Sequence, residues 1–491
     1  MAVVPGESGP VPGGGFLRGA VWSALGGGVS ILLPLGMFLA FARAMAPDEI
    51  GRLVLAVALS ELLKVFGAPG FYEAILQRGD ATGRDGAAAL AAWSLLGVML
   101  MPIYGALLFG LLALLGGTPE GPERWLLLII ALRIPIDLIA LQPQAELARR
   151  QAYARLATRG LFANVAASLV GIALLALGHP AEGLVAYTLA LPIGMLATTV
   201  VGTRALYRPR WDGARLRGMW REALPASAVR GVATASNHLD QLLVGAVAGT
   251  GTFAWFNLAK RVEMAFSSVS STFSTSLFQP YFAGRRSLAE RQVALRRSLL
   301  VINVTCGVAA ASFVAVADLA FPLVLGPAWQ GAAMAAALMA AAGHIRALGG
   351  VHASLLSATG RNAILLRRFA ISVACGLLLV ALAAPFGATA CAAMLLLRAV
   401  IAAGLMSEAT RGDAGLRGWA DLALPPLASF LAMLAAAAVA RLAIAGSGAA
   451  EPRTAIAAIL GAAIAAGAVG LGIAAWQLRG GGRLAVATPR P

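Results

Sequence analysis

Charged residues are scarce in this chain, and their scarcity excludes a water-soluble fold. Only 12% of the 491 residues are Asp, Glu, Lys or Arg, whereas soluble domains carry roughly 25%. Hydrophobic residues make up 59%, which is more apolar surface than a protein folded in water tolerates. Lysine is rarest of the charged types, with Lys64 and Lys260 as its only copies.

Cysteine and the motifs of enzymes are also nearly missing. The three cysteines, Cys306, Cys375 and Cys391, each lie within an apolar run, which favours small packing residues over a disulfide framework or a metal site. The sequence has no Asp-x-Asp motif, no zinc-type His/Cys spacing and no phosphate-cradling Gly-Lys-Ser/Thr. We therefore expect neither an enzyme nor a cofactor, and no metal.

The sequence consists mainly of long apolar runs. Runs of roughly 20 residues, each able to cross a hydrocarbon core of about 30 Å, recur from end to end. They lack the alternation of a barrel strand, so the sequence predicts an all-α polytopic membrane protein. About fourteen spans are predicted: Phe16–Ala42, Ile50–Leu76, Ala87–Leu115, Trp125–Leu141, Gly160–Leu177, Gly183–Ala205, Glu222–Ala248, Thr252–Phe278, Ser298–Leu319, Gln330–Ser357, Ala363–Ala384, Phe386–Met406, Ala420–Ala445 and Thr454–Gln477.

The distribution of arginine predicts the orientation. If the N-terminus is inside, the links richest in Lys and Arg are Arg149–Arg159, Arg204–Arg221 and Arg285–Arg297, all on the inside. This pattern predicts that the N- and C-termini are cytoplasmic. It also accounts for the net charge of +16 without a nucleic-acid partner.

Two similar stretches predict that the chain contains two repeats. Ala46–Ala56 opens the second span, and a similar stretch, Gly249–Ala259, opens the eighth. Parallel repeats of this kind are typical of transporters, whose substrate site lies between the lobes. We predict a cytoplasmic tail (1–15), a first lobe of six helices (16–213), a second (214–410), two further helices (411–478) and a cytoplasmic tail (479–491).

Several motifs resemble one transporter family. Arg43–Gly51 resembles the turn between the first two helices of polysaccharide-repeat-unit flippases, and Asp240–Gly245 with Phe256–Arg261 resembles their signature in helices seven and eight. Ser276–Pro280 and Leu355–Arg361 match further positions of these O-antigen and exopolysaccharide flippases, which belong to the multidrug/oligosaccharidyl-lipid/polysaccharide (MOP) exporter superfamily. One departure is Phe256, where the family usually has tyrosine.

The resemblance implies a V-shaped, two-lobed transporter that works by alternating access. It implies as substrate an undecaprenyl-pyrophosphate-linked oligosaccharide, moved from the cytoplasmic to the periplasmic face of a bacterial inner membrane. It also implies a monomer, with a polysaccharide polymerase or a chain-length regulator as a plausible partner besides the bilayer itself.

Ionisable side chains inside the spans are the candidate functional residues, because such groups are costly at membrane depth and need a cavity or a partner. Cations exceed anions there, and a surplus of arginine suits a pyrophosphate, which its guanidinium can bind in a bidentate manner. Lys64, Lys260 and Arg261 are candidates, and Arg230, Arg346 and Arg398 are the strongest because they lack a local partner. Glu61, Asp137 and Asp240 are candidates for coupling to a proton or a sodium ion.

Structural alternatives remain open for each of these groups. Glu61 and Lys64 are three residues apart and can form a salt bridge on one helix face. Arg133 and Asp137 are four apart around Pro135, which is expected to kink the helix. Asp240 and Lys260 are expected at matching depth in a helical hairpin and can bridge there. His238, His344 and His352 are expected mainly as hydrogen-bonded packing residues.

Two transporters of the same superfamily are rival functions. A peptidoglycan-precursor flippase would use the same pyrophosphate group, and sequence separates it poorly. An ion-coupled multidrug exporter usually carries cations, which a cation-rich cavity disfavours.

Overall fold

The computed structural model describes residues 33–67, 70–78, 83–115, 117, 119–150, 152–201, 206–273, 278–284, 287–414, 420–445 and 452–480. The predicted N-terminal tail, the start of the first predicted span and residues 481–491 of the predicted C-terminal tail lie outside them. Throughout the described residues the chain is helical, with helices α1 to α17 at Leu33–Ala44, Pro47–Gly67, Phe71–Arg78, Arg84–Leu114, Pro122–Ile129, Arg133–Arg149, Tyr153–Ala176, Pro180–Val200, Gly213–Ala248, Thr250–Phe273, Gln279–Ala283, Leu288–Leu325, Gln330–Ala358, Asn362–Ala383, Ala388–Ala414, Ala420–Ala445 and Pro452–Gly480.

Within the described residues, each predicted span overlaps one helix or two consecutive helices. The second span is divided, since α2 ends at Gly67 and α3 begins at Phe71, after Gly70 with a φ of 85°. The fourth consists of α5 and α6, joined by a 3-10 turn at Ile130–Leu132. Pro135 lies three residues after this turn and has no N–H to continue the helical ladder.

The helices agree with a multi-pass membrane protein. Among the described residues, ten helices are long and apolar enough to cross a bilayer. Large apolar side chains face outward on several of them; Leu114 and Ile464, for example, are 85% and 72% exposed. α2 and α10 are not among the ten, because they carry charges such as Lys64 and Lys260 within their length.

The helices form two lobes that meet along α2, α9 and α10. In the first lobe α4, α6, α7 and α8 pack on one another, and in the second α10, α12, α13 and α15 do so. α2 contacts both α9 and α10, and a single hydrophobic core runs across this junction, from Phe41 to Phe253 and Trp329. The last two helices, α16 and α17, pack on α12 around Met433.

The predicted outer ends of α2 and α10 are in direct contact. A Cβ at Gly51 would lie 2.8 Å from the carbonyl carbon of Thr250, so only glycine allows this approach. Thr250 Oγ1 donates a 2.9 Å hydrogen bond to Asp48, and Arg43 donates one of 2.5 Å to the carbonyl of Val324 at the end of α12. The lobes are therefore closed against each other at this end.

Candidate functional site

Four charged side chains of the first lobe form a closed ring. Lys64 on α2 lies 2.8 Å from Glu61 on the same helix and 2.5 Å from Asp137 on α6. Arg133 on α6 completes the ring through Glu61 and, at 3.3 Å, through Asp137. The two pairs predicted within single helices are therefore one network between helices.

This ring is electrically neutral and only partly accessible. Two cations alternate with two carboxylates, and the four side chains are 15–23% exposed. Each charge has two opposite charges as neighbours, which offsets the cost of holding it at membrane depth. Binding of substrate by Lys64 and ion coupling by Glu61 and Asp137 stay predictions.

A bridge between α9 and α10 is the most deeply buried ion pair among the described residues of the second lobe. The side chains of Asp240 and Lys260 are 2% and 4% exposed and in contact, and Asp240 also accepts a 2.7 Å hydrogen bond from the N–H of Gln241. This is the cross-helix bridge that their distances from the hairpin turn predicted. Asp240 remains a candidate for ion coupling, although its carboxylate already has a cationic partner.

Arg346 has a partner that the sequence did not indicate. It forms an ion pair with Glu263 of α10, whose side chain is 4% exposed, while the side chain of Arg346 itself is 40% exposed. The pair joins α13 to α10, so neither spacing nor periodicity within one helix could have revealed it. Arg346 keeps enough exposure to contact a ligand.

Arg398 differs from these cations. It is half-buried on α15 and lies within electrostatic range of Asp240, Glu263 and Arg346. Within the described part of the chain it makes no ion pair or hydrogen bond. Its side chain crosses α14 over Gly376, where a Cβ would lie 2.6 Å from the guanidinium Nε.

Arg261 is a second cation without a carboxylate partner among the described side chains. Its Nε donates a 3.0 Å hydrogen bond to Asn257, and its guanidinium lies 4.3 Å from the centre of the Phe38 ring on α1. It also lies within electrostatic range of Arg133 and Tyr187 in the first lobe. Arg261 is therefore at the junction between the lobes.

Of the candidate cations whose side chains are described, Lys64, Lys260 and Arg346 are ion-paired, whereas Arg261 and Arg398 have no carboxylate partner among the described residues. A surplus of cations was predicted, and these two carry it here. Arg230 lies in α9, but its side chain is outside the described residues. In the described ranges, no group of three or more His, Cys, Asp or Glu side chains is placed to hold a metal ion.

The histidines divide between two environments. His352 Nδ1 lies 3.0 Å from the hydroxyl of Thr410, as expected of a hydrogen-bonded packing residue. That expectation is wrong for His344, which stacks on Phe430 at 4.7 Å and finds no hydrogen-bond partner for either ring nitrogen among the described residues.

A charged cluster at the predicted cytoplasmic end was missed by the sequence analysis. Arg78 of α3 lies 2.7 Å from Glu222 of α9, and the buried Asp85 of α4 lies 2.8 Å from Arg215 of α9. The hydrogen bond to Asp85 raises the pKa of Arg215 above its usual range. These arginines were counted only as charges of inside links, so their partners on another element went unnoticed.

A cleft of about 420 Å³ opens at the predicted outer end, away from the charges just described. Glu49, Arg52, Glu123 and Glu182 line it. Arg52 is bound to Glu123 through two hydrogen bonds of 2.5 and 3.2 Å. The cleft contains none of the predicted site residues.

Comparison with known proteins identifies one family and one fold. The sequence model of a family described as "Polysaccharide biosynthesis protein" matches residues 40–334, which is more than half of the chain. A search of curated protein sequences gave no significant match.

The fold is similar to those of solved membrane transporters. A structure titled "Lipid II flippase MurJ, inward closed conformation" aligns with a TM-score of 0.71 at 11% identity, covering 94% of this chain and 99% of MurJ. An inward-facing multidrug resistance MATE family transporter of the MOP superfamily aligns with a TM-score of 0.55 at 16% identity, covering 79% of this chain and 95% of that one. Identities this low establish the fold alone.

Proposed function

We propose that this chain, which belongs to the polysaccharide biosynthesis protein family, is a flippase for lipid-linked oligosaccharides. Its fold, which is similar to those of MOP-superfamily transporters, supports the proposal. The substrate is an oligosaccharide repeat unit on undecaprenyl pyrophosphate, carried from the cytoplasmic to the periplasmic face of the inner membrane by alternating access. Both termini are cytoplasmic, and the driving ion is a proton or sodium.

The observation that carries the proposal is that two of the candidate cations, Arg261 and Arg398, have no carboxylate partner among the described side chains. A diphosphate brings negative charge into a region where burial makes isolated cations costly, and an arginine can bind it through parallel hydrogen bonds. Arg261 at the lobe junction and Arg398 within the second lobe are available for this, whereas Lys64, Lys260 and Arg133 are already neutralised by Asp or Glu.

The closed outer end corresponds to one of the two states that alternating access requires. Contacts between Gly51 and Thr250, and between Arg43 and Val324, close the predicted outer end. Alternating access needs an opposite state in which these contacts are broken. The hydrogen bonds of Asp48 and Arg43 lie beside the apolar junction of Phe41, Phe253 and Trp329, and opening would separate both.

Translocation of a peptidoglycan lipid precursor is the second candidate function. The similarity to a protein titled a lipid II flippase favours it, because both substrates present a lipid-linked pyrophosphate. A multidrug exporter is the third, and the surplus of cations weighs against the cationic drugs that such exporters usually carry.

The test is complementation of a bacterium that lacks its O-antigen flippase, with surface polysaccharide as the readout. Wild-type chain is expected to restore the polymer, and Arg261→Ala and Arg398→Ala are expected to lose it at unchanged protein level. Arg411→Ala is the matched control, because Arg411 lies on α15 like Arg398 but pairs with Glu408 at the surface.

The same strains distinguish the rival functions. Rescue of a strain that lacks its peptidoglycan-precursor flippase, without restored surface polysaccharide, would overturn the proposal in favour of the second candidate. Raised drug resistance without either rescue would favour the multidrug exporter. A partnership with a polymerase or a chain-length regulator would appear as restored polymer only when that protein is present.

A further inference from the structure

Gly376 on α14 provides the surface on which the Arg398 side chain lies. A Cβ at this position would be 2.6 Å from Nε and 3.0 Å from Cζ of Arg398, and closer still to Cδ. These separations are below van der Waals contact, so even alanine would displace the arginine. The three heavy atoms nearest to that Cβ all belong to the Arg398 side chain, and none of the three is a backbone atom.

This arrangement restricts an otherwise flexible side chain. Arginine loses much rotamer freedom when it binds a ligand, and a side chain already held in place loses less. The stem of Arg398 lies between α14 and α15, and the guanidinium lies in the electrostatic range of Asp240 and Glu263. Those two carboxylates are occupied by Lys260 and Arg346, so Arg398 remains without an ion pair among the described residues.

We propose that Gly376 is a positioning residue whose missing side chain seats Arg398, so that its guanidinium is presented to the diphosphate group of the substrate. The inference rests on the proposed function for its ligand, a lipid-linked diphosphate. It assigns to Gly376 a role in affinity that does not depend on any contact of Gly376 with the ligand.

Substitution at Gly376 should therefore act through Arg398 alone. Alanine is a better helix former than glycine, and the three atoms nearest to its Cβ belong to a side chain that can move, so Gly376→Ala should fold and insert normally. Gly404→Ala on α15 is the matched control, because no heavy atom lies within 4 Å of a Cβ there.

The experiment is binding of farnesyl diphosphate to purified full-length protein in detergent, with farnesol as the uncharged comparison. Losing one charge-assisted contact corresponds to about 10-fold weaker binding or more. This loss is expected for Gly376→Ala and for Arg398→Ala, but not for Gly404→Ala. The double variant Gly376→Ala/Arg398→Ala should bind as Arg398→Ala does, and farnesol binding should be the same in all.

Three results would overturn the inference: wild-type protein that binds farnesyl diphosphate no better than farnesol, Gly376→Ala that binds it like wild type, or a further loss when Gly376→Ala is added to Arg398→Ala. The last would place the effect of Gly376 in helix packing. Failure of the proposed function is distinguishable, since the binding pattern would then hold while complementation fails.

Discussion

Replacing Lys64 with methionine removes one of the two cations from the ring formed with Glu61, Arg133 and Asp137. Lys64 bridges both carboxylates, at 2.8 and 2.5 Å, and the variant leaves a net charge of −1 in the ring. Removing one partner of a fully buried ion pair costs about 3–5 kcal/mol. Because the Lys64 side chain is 16% exposed, water offsets part of this, and we expect a loss of about 2–3 kcal/mol in the free energy of unfolding.

A second substitution tests whether charge balance is the cause. Adding Asp137→Asn to Lys64→Met returns the ring to neutrality, with Glu61 and Arg133 as the remaining ion pair. The double variant should therefore be more stable than Lys64→Met alone, although it carries one change more. Arg411→Met is the control, since its pair with Glu408 is about half exposed and should contribute less than about 1 kcal/mol.

Thermal unfolding in detergent, followed by intrinsic tryptophan fluorescence, measures these differences. The expected order of unfolding temperatures is wild type and Arg411→Met highest, the double variant next, and Lys64→Met lowest. A Lys64→Met protein as stable as wild type, or a double variant less stable than Lys64→Met, would refute the view that the ring is stabilised by mutual neutralisation.

Two more predictions concern the ends of the bundle. Gly51→Leu should prevent closure of the predicted outer end, because any side chain there collides with the backbone of Thr250. Cross-linking between cysteines introduced at the outer ends of α2 and α10 should therefore decrease. Unchanged cross-linking would contradict the contact between Gly51 and Thr250. Asp85→Asn should loosen the predicted cytoplasmic end by leaving Arg215 without its buried carboxylate. Faster proteolysis of the 206–212 link is the expected sign, and an unchanged rate would show that Asp85 does not hold α9 in place.

The sequence alone was sufficient for the helices and their membrane character. A run of about 20 apolar residues has one stable form in a bilayer, because every backbone group must be hydrogen-bonded within the span. Helix ends were less predictable. α9 begins at Gly213 instead of Glu222, since the Asp212 side chain caps its N-terminus by accepting from the N–H of Arg215, and α12 begins at Leu288 behind a capping box of Ser287 and Glu290.

Contacts within one helix or one hairpin were also accessible from spacing. Glu61 and Lys64 share a helix face because residues three apart lie on neighbouring turns. Asp240 and Lys260 meet because a short turn sets two antiparallel helices at matching depth. In both cases the local geometry of the chain determines the pair.

Contacts between distant helices needed the tertiary structure. Three contacts depend on which helix faces are turned toward one another. Arg133 of α6 contacts Glu61 of α2, and Arg346 of α13 is neutralised by Glu263 of α10. Arg398 of α15 lies over Gly376 of α14. The period of a helix places a residue on a face, but the rotation of each helix against its neighbours is set by side-chain packing across the whole bundle. Hydropathy and spacing thus determined the number of spans and the surplus of cations, and only the packing of the two lobes decided which arginines carry that surplus.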